Sequence, residues 1–254
     1  MLKSSVPVFF FSLTLTFALP SAANPAAPEP AKPATGKTIL ARTSATEVSF
    51  AQPGKRVQKF VDSYIRDNDE SLTSIRNRSK RPFTIIDSIF KQYGLPGELK
   101  YLAVIESELR PTALSRVGAR GPWQFMAGTA RDLGLKVNGR SDERTSMSKS
   151  TKAAALYLRD LHNQFKDWLL VLAAYNAGPL PVMRAIRRSH STNFWALERY
   201  LPAESRQHVK RFIATAYYFN TFDTVEPLMQ AIPADNAVCT TQEQEGFPEF
   251  LGTL

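Results

Sequence analysis

Glu106 is the clearest candidate for a catalytic side chain, because it places an acid on the apolar face of a predicted helix. Glu106 lies seven residues after Leu99, on an inward stripe made of Leu99, Leu102, Ala103 and Leu109. Glu108 lies about 200° around the same helix, so it points away and cannot pair with Glu106 in catalysis. Since burial disfavours an ionised carboxylate, Glu106 is expected to hold a proton near neutrality, as a general acid must. The alternative is an interior glutamate satisfied by a salt bridge or by backbone amides.

The segment from Ser115 to Met126 has the composition of a binding loop. Its two glycines permit close approach of the backbone, and the amide of Gln124 both donates and accepts hydrogen bonds. Such a loop suits the N-acetyl and hydroxyl groups of a sugar. The alternative is an ordinary connection between helices, and for Trp123 and Phe125 we favour a place in the core.

Two further groups of polar residues admit a chemical or a structural interpretation. Tyr175 lies near the end of a predicted helix, where its hydroxyl could bond a buried carboxyl or its ring could pack under an Asn-Ala-Gly cap. Asp142, Glu143 and Arg144 are expected to form a local ion pair or helix cap rather than a second catalytic carboxylate.

Helical periodicity extends through most of the chain and predicts an all-α fold. Asp167 is a plausible N-cap, and glycine or proline follows several of the apolar runs. We therefore expect one compact helical domain with short connections. The predicted helices begin near Arg56 and again before Ile85, and then cover Pro96–Leu109, Ala127–Leu133, Lys149–Phe165, Trp168–Ala177 and Leu201–Phe222.

The N-terminal residues predict export from the cytoplasm. Lys3, an apolar run over residues 6–19 and a small-residue site indicate a signal peptide over residues 1–23. An N-terminal membrane anchor is the alternative, although the apolar run is shorter than the ~20 residues of a spanning helix. A Pro- and Ala-rich linker is expected over 24–54, the catalytic domain over 55–222 and a tail over 223–254. With Cys239 as the single cysteine, a periplasmic location is expected, with no membrane span after signal removal.

The composition of the chain limits the classes of partner and cofactor that we expect. The 254 residues carry 32 Lys+Arg against 23 Asp+Glu, a net charge of +9 that favours an acidic polymer or an anionic membrane surface. The chain has neither common phosphate-binding glycine motif, and its three histidines are scattered, so neither a metal nor an organic cofactor is expected. Nucleic acid is not expected as a partner, because the basic residues around Arg76 to Arg81 have few interleaved aromatics.

Several short motifs together carry a family resemblance over roughly residues 56–222. In chain order they are Ile105-Glu106-Ser107, Ser115 with Gly118-Ala119, Gly121-Pro122-Trp123-Gln124-Phe125-Met126, Ala174-Tyr175-Asn176-Ala177-Gly178 and Leu201-Pro202-Ala203-Glu204-Ser205. In this order and spacing, the chain resembles the lytic murein transglycosylases that share the goose-type lysozyme fold, most nearly their membrane-bound type D branch.

The resemblance implies a role for each matching residue. Glu106 matches the sole catalytic acid and base. Sugar binding, in the groove or at the helix end facing the glutamate, is expected of Ser107, Ser115, Gln124, Met126, Tyr175 and Asn176. His208 stands where many relatives carry a tyrosine that touches the catalytic carboxyl, and an imidazole can still donate a hydrogen bond there.

The implied reaction is cleavage of peptidoglycan strands at the β-1,4 bond between N-acetylmuramic acid and N-acetylglucosamine. It consumes no water and leaves 1,6-anhydro ends. Two alternatives stay open at this point. One is a hydrolytic muramidase of the same fold, and the other is a non-catalytic glycan-binding protein.

Overall fold

The computed structural model describes the backbone of residues 55–230 and the side chains through residue 222. Between residues 55 and 230 the chain forms α-helices and short 3₁₀ turns, with isolated β-bridges in place of strands. The all-α prediction is confirmed. The predicted signal peptide, the linker up to residue 54, and Cys239 lie outside the described residues. The helices are α1 (Gln58–Gln92), α2 (Tyr101–Ser107), α3 (Ala127–Asp132), α4 (Met147–Phe165), α5 (Trp168–Ala177), α6 (Pro179–Ser189), α7 (Phe194–Leu197) and α8 (Ala203–Gln230).

The first two predicted helices are in fact one helix, α1. It continues through Pro82, because its buried face runs unbroken from Val61 to Phe90 and packs against α8 and α4. It ends where Gly94 adopts a φ of 66° and the Leu95 amide donates to the Phe90 carbonyl at 3.0 Å. This end directs the chain into α2.

Helix α5 lies at the centre of the domain. Eight of its residues are buried, as expected for a helix that is apolar on every side, and it packs against α4, α6 and α8. The Asp167 carboxylate accepts a hydrogen bond from the Leu170 amide at 3.0 Å, which confirms the predicted N-cap. Helices α6 and α7, which follow α5, are absent from the sequence-based prediction.

Helix α2 is shorter than predicted and positions Glu106 in its last turn. A 3₁₀ turn over Gly97–Lys100 precedes it, and it ends at Ser107 rather than Leu109. Glu108 and Leu109 both have positive φ angles, 55° and 62°, so the chain turns sharply there. The turn still brings Leu109 into the core, and α2 packs against α8.

The last helix, α8, extends beyond its predicted end at Phe222. Within the described part of the chain, no helix is both long enough and apolar enough to cross a membrane.

Candidate active site

Glu106 and His208 form a buried pair between α2 and α8. The Nε2 atom of His208 lies 2.9 Å from Oε1 of Glu106. The side chains are 3% and 7% exposed for His208 and Glu106, respectively. The inward position predicted for Glu106 is therefore confirmed. Its partner is an imidazole, a group that can move a proton and that forms an ion pair with the carboxylate only when the ring is protonated.

Glu108 belongs to a different cluster. Its carboxylate forms ion pairs with Arg78 and Arg110, and the Arg78 guanidinium also donates to the Glu108 carbonyl at 2.8 Å. These residues border an open polar cavity of about 350 Å³ that is lined by Glu70, Ser71, Ser74, Arg78, Glu108 and Arg110. The two neighbouring glutamates of α2 and its C-terminal turn thus have separate surroundings, as their spacing predicts.

Tyr175 lies near Glu106 but bonds elsewhere. Its buried hydroxyl donates to the Trp123 carbonyl at 2.7 Å, so it bonds a backbone group and not the buried carboxyl that was one of its two possible roles. Burial raises the pKa of Tyr175 well above its ordinary value, and the negative charge of Glu106 raises it further. The phenol therefore stays protonated and anchors the loop that carries Trp123.

That loop is fixed to α2 and to itself by hydrogen bonds. The Ser107 hydroxyl donates to the Pro122 carbonyl at 2.8 Å, and the Gln124 amide donates to the Gly121 carbonyl at 2.8 Å. The Ser115 hydroxyl accepts from the Ala119 amide at 2.9 Å. These polar groups, expected to bind sugar, also hold the loop in shape.

The core positions favoured for two aromatic residues of this loop are confirmed, since Trp123 and Phe125 are 0% and 3% exposed. Ser115 and Met126 are half-buried, on the same loop. Asn176 is buried at the end of α5, where its Oδ1 accepts from the Ser205 hydroxyl of α8 at 3.0 Å.

Arg144 holds the loop from outside. Its guanidinium bonds the Asp142 carboxylate at 2.7 Å and donates to the carbonyls of Gly118 and Phe125 at 2.9 and 3.0 Å. The hydrogen bond from Arg144 is the main reason that the pKa of Asp142 is lowered. The predicted ion pair is confirmed. The hydrogen bonds from Arg144 to the loop, however, join residues that are distant in sequence, so local spacing did not predict them.

Gly121 marks the point of closest approach between the loop and the Arg144 backbone. Its φ is +86°, and a Cβ atom there would lie 1.9 Å from the Arg144 carbonyl oxygen. Only glycine fits this position without a shift of the backbone.

Glu204 is a candidate functional residue that the sequence did not single out as an acid. It lies one turn before His208 on α8, and it is close enough to Glu106 for the negative charges of the two carboxylates to repel each other. Burial raises the pKa of Glu204. The four-residue spacing from His208 is the signal that places both on one helix face. Among the described residues, no three His, Cys, Asp or Glu side chains form a cluster that could hold a metal ion.

A family model described as the transglycosylase SLT domain matches residues 84–198, which include Glu106, the loop and α5. This segment of the chain is therefore similar to the transglycosylase SLT domain. The membrane-bound lytic murein transglycosylase D of Escherichia coli K12 is 36% identical to it over 164 residues, covering 63% of this chain and 36% of that protein. The chain thus spans little more than a third of that relative's length.

Two further comparisons extend the relationship. The peptidoglycan transglycosylase gp16 of Escherichia phage T7 is 31% identical over 144 residues, covering 54% of this chain and 11% of that protein. The solved structure of an inactive mutant of lytic transglycosylase Slt from Pseudomonas aeruginosa matches with a TM-score of 0.52 and 23% identity, covering 65% of this chain and 28% of that one. At this identity the structural match shows the fold alone.

Proposed function

We propose that this SLT domain cleaves the glycan strands of peptidoglycan as a lytic transglycosylase, with Glu106 as the single acid and base. The observation that carries the proposal is the buried Glu106 carboxyl, which lies in the segment that matches the family model and is 2.9 Å from the His208 imidazole. A buried carboxyl of this kind is suited to carry a proton to a leaving group. The names of the relatives supply the substrate class.

The chemistry needs one group acting twice. Glu106 gives its proton to the glycosidic oxygen as the bond from C1 of N-acetylmuramic acid breaks, which releases the 4-hydroxyl of N-acetylglucosamine. The C6 hydroxyl of the same muramic acid then attacks C1 and returns a proton to Glu106. Because the nucleophile belongs to the substrate, its proximity assists the reaction, no water is consumed, and the end formed is a 1,6-anhydro sugar.

Hydrolysis by the same fold is the second candidate, and Glu204 favours it. A hydrolase needs a second carboxylate roughly 5 to 9 Å from the acid, to activate water or to attack the sugar. Glu204 is close enough for its charge to act on Glu106. We favour transglycosylation because the relatives are named as transglycosylases and because Glu106 is the one of the two carboxyl groups that is buried.

The substrate also implies a location. We propose that the protein works in the cell envelope, in the periplasm, where its murein substrate lies. The apolar run at residues 6–19 and the name of the E. coli relative support this assignment.

Digestion of purified murein in water enriched in oxygen-18 tests the reaction. Transglycosylation gives 1,6-anhydro ends without the heavy isotope, and mass spectrometry detects them. Reducing ends labelled with oxygen-18, lost in a Glu204→Gln variant, would establish hydrolysis instead. Intact murein after digestion would contradict both enzymatic proposals and support the glycan-binding alternative.

The assignment of Glu106 predicts a specific loss of activity. Glu106→Gln keeps the size of the side chain but removes the transferable proton, so turnover should fall about 10²- to 10⁴-fold. Glu108→Gln is the matched control, because it makes the same change two residues away among Arg78 and Arg110. Release of soluble muropeptides measures both variants. Equal losses of turnover in the two variants would show that Glu106 is not the catalytic acid.

A further inference from the structure

The two ring nitrogens of His208 have unequal surroundings. Nε2 faces Oε1 of Glu106 at 2.9 Å. Nδ1 is buried and has no hydrogen-bond partner among the residues that the structure describes. This asymmetry indicates which atoms of Glu106 and His208 carry protons. The inference drawn from it rests on the proposed function.

Three proton arrangements are compatible with the short contact. A neutral ring with its hydrogen on Nε2 donates to Glu106 and leaves only a lone pair on Nδ1. A neutral ring with its hydrogen on Nδ1 must accept a hydrogen bond at Nε2 from a protonated Glu106, and it leaves a buried N–H without an acceptor. A charged imidazolium leaves the same N–H unsatisfied and buries a charge as well. Buried N–H groups without an acceptor are rarer in proteins than acceptors without a donor.

We propose that His208 is a neutral positioning residue that donates Nε2–H to Oε1 of Glu106 and leaves Oε2 as the oxygen that carries the catalytic proton. Within the described part of the chain, Oε2 makes no hydrogen bond. The Nε2–H bond to Oε1 is compatible with both the ionised carboxylate and the acid protonated on Oε2. His208 therefore holds Glu106 in one orientation while Glu106 acts first as an acid and then as a base.

The charged and titratable neighbours act on this pair from several elements. Glu204 and Arg211 lie on the same helix as His208, and their charges oppose each other. Tyr175 approaches Glu106 from α5 as a neutral phenol. The unpartnered Nδ1 thus decides for the neutral ring.

Nitrogen-15 NMR of the full chain at neutral pH tests the tautomer directly, without any substrate. The chain has three histidines, so the His208 signals are assigned by their loss in His208→Gln. The expected spectrum shows a protonated Nε2 and an unprotonated Nδ1. A protonated Nδ1, in either a neutral or a charged ring, would overturn the proposal. Because no turnover is involved, this result stands apart from success or failure of the murein digestion.

Kinetics of two variants tests the positioning role. His208→Gln retains an N–H donor on a side chain of similar reach, whereas His208→Phe keeps a ring and removes the donor. We expect kcat to fall about 10- to 100-fold in His208→Phe with little change in KM, and most of the loss to be restored in His208→Gln. Equal losses of kcat in both variants, or a loss confined to KM, would contradict the role. If His208→Phe does not fold, the NMR result and His208→Gln still decide.

Discussion

Burial acts in one direction on three ionisable side chains around the site. It raises the pKa values of Tyr157, Tyr175 and Glu204, because each loses the water that would stabilise its charged form. Both phenols are therefore neutral throughout the physiological range. Asp142 shows the opposite behaviour, since its hydrogen bond from Arg144 lowers its pKa. Burial thus raises the pKa values of Tyr157, Tyr175 and Glu204, whereas an ion pair lowers the pKa of Asp142, which supports the loop through Arg144.

The buried tyrosines predict a loss of stability in alkali. Burial raises the pKa of Tyr157 to about 12, whereas an unfolded tyrosine titrates near about 10. Between these values only the unfolded chain releases the proton, so this group lowers the free energy of unfolding by about 1.4 kcal/mol per pH unit. Below that window the group has no effect.

Tyr157→Phe should reduce the decrease in the free energy of unfolding that occurs as the pH rises above about 10. At neutral pH the free energy of unfolding should stay within about 1 kcal/mol of wild type, since the hydroxyl makes no hydrogen bond among the described residues. Urea unfolding at about pH 7 and at points between about pH 10 and pH 12 measures the effect. A slope unchanged from wild type would show that Tyr157 is not the group responsible.

At the scale of elements, α1 contains a proline that its packing overrides. Pro82 removes an amide from the helix interior, yet the helix continues for ten further residues to Gln92. The buried residues on both sides, Ser79 and Ile86, keep one face against α4 and α8. Tertiary packing therefore stabilises a helix that local propensity would divide.

Pro82→Ala should raise the free energy of unfolding by about 1 to 3 kcal/mol, because it restores a backbone donor and removes the steric cost of the ring. Urea denaturation compared with wild type provides the measurement. A decrease in stability would show instead that the proline ring contributes packing that alanine cannot replace.

The loop between α2 and α3 depends on a close backbone approach. Gly121→Ala adds a Cβ atom 1.9 Å from the Arg144 carbonyl oxygen and at a φ of +86°. We expect a loss of at least about 2 kcal/mol in the free energy of unfolding. Murein cleavage should fall as well, because the neighbouring Pro122 carbonyl is bonded by Ser107, next to Glu106.

Gly139→Ala is the matched control, since no atom lies within 4 Å of its added Cβ. Thermal or urea unfolding of both variants makes the comparison. Similar stabilities in the two variants would mean that the loop and Arg144 can separate at little cost.

At the scale of the whole molecule, the net charge of +9 predicts salt-dependent binding to an anionic wall. Retention on purified murein should weaken as sodium chloride rises from about 50 to about 500 mM, because the ions screen long-range attraction. The kcat on a short soluble fragment of murein should change much less, since the Glu106–His208 pair is buried. Co-sedimentation and turnover assays measure the two. Binding that is independent of salt would assign retention to the groove alone.

Local patterns determined the helical class, the inward face that carries Glu106, the Asp167 cap and the core positions of Trp123 and Phe125. These features depend on periodicity and side-chain type within a few residues, which a sequence displays directly. The end of α2 was harder to predict, because Glu108 and Leu109 adopt positive φ angles without a glycine to signal them.

Tertiary structure alone decided which groups meet. His208 reaches Glu106 across 102 residues of sequence, Tyr175 bonds the Trp123 carbonyl across 52, and Arg144 reaches Gly118 across 26. The family resemblance placed His208 near the glutamate, but neither the distance nor the unpartnered Nδ1 could come from it. Helix periodicity fixes which face of each helix is buried. The choice of partner depends on how those faces pack in three dimensions, and no local spacing encodes it.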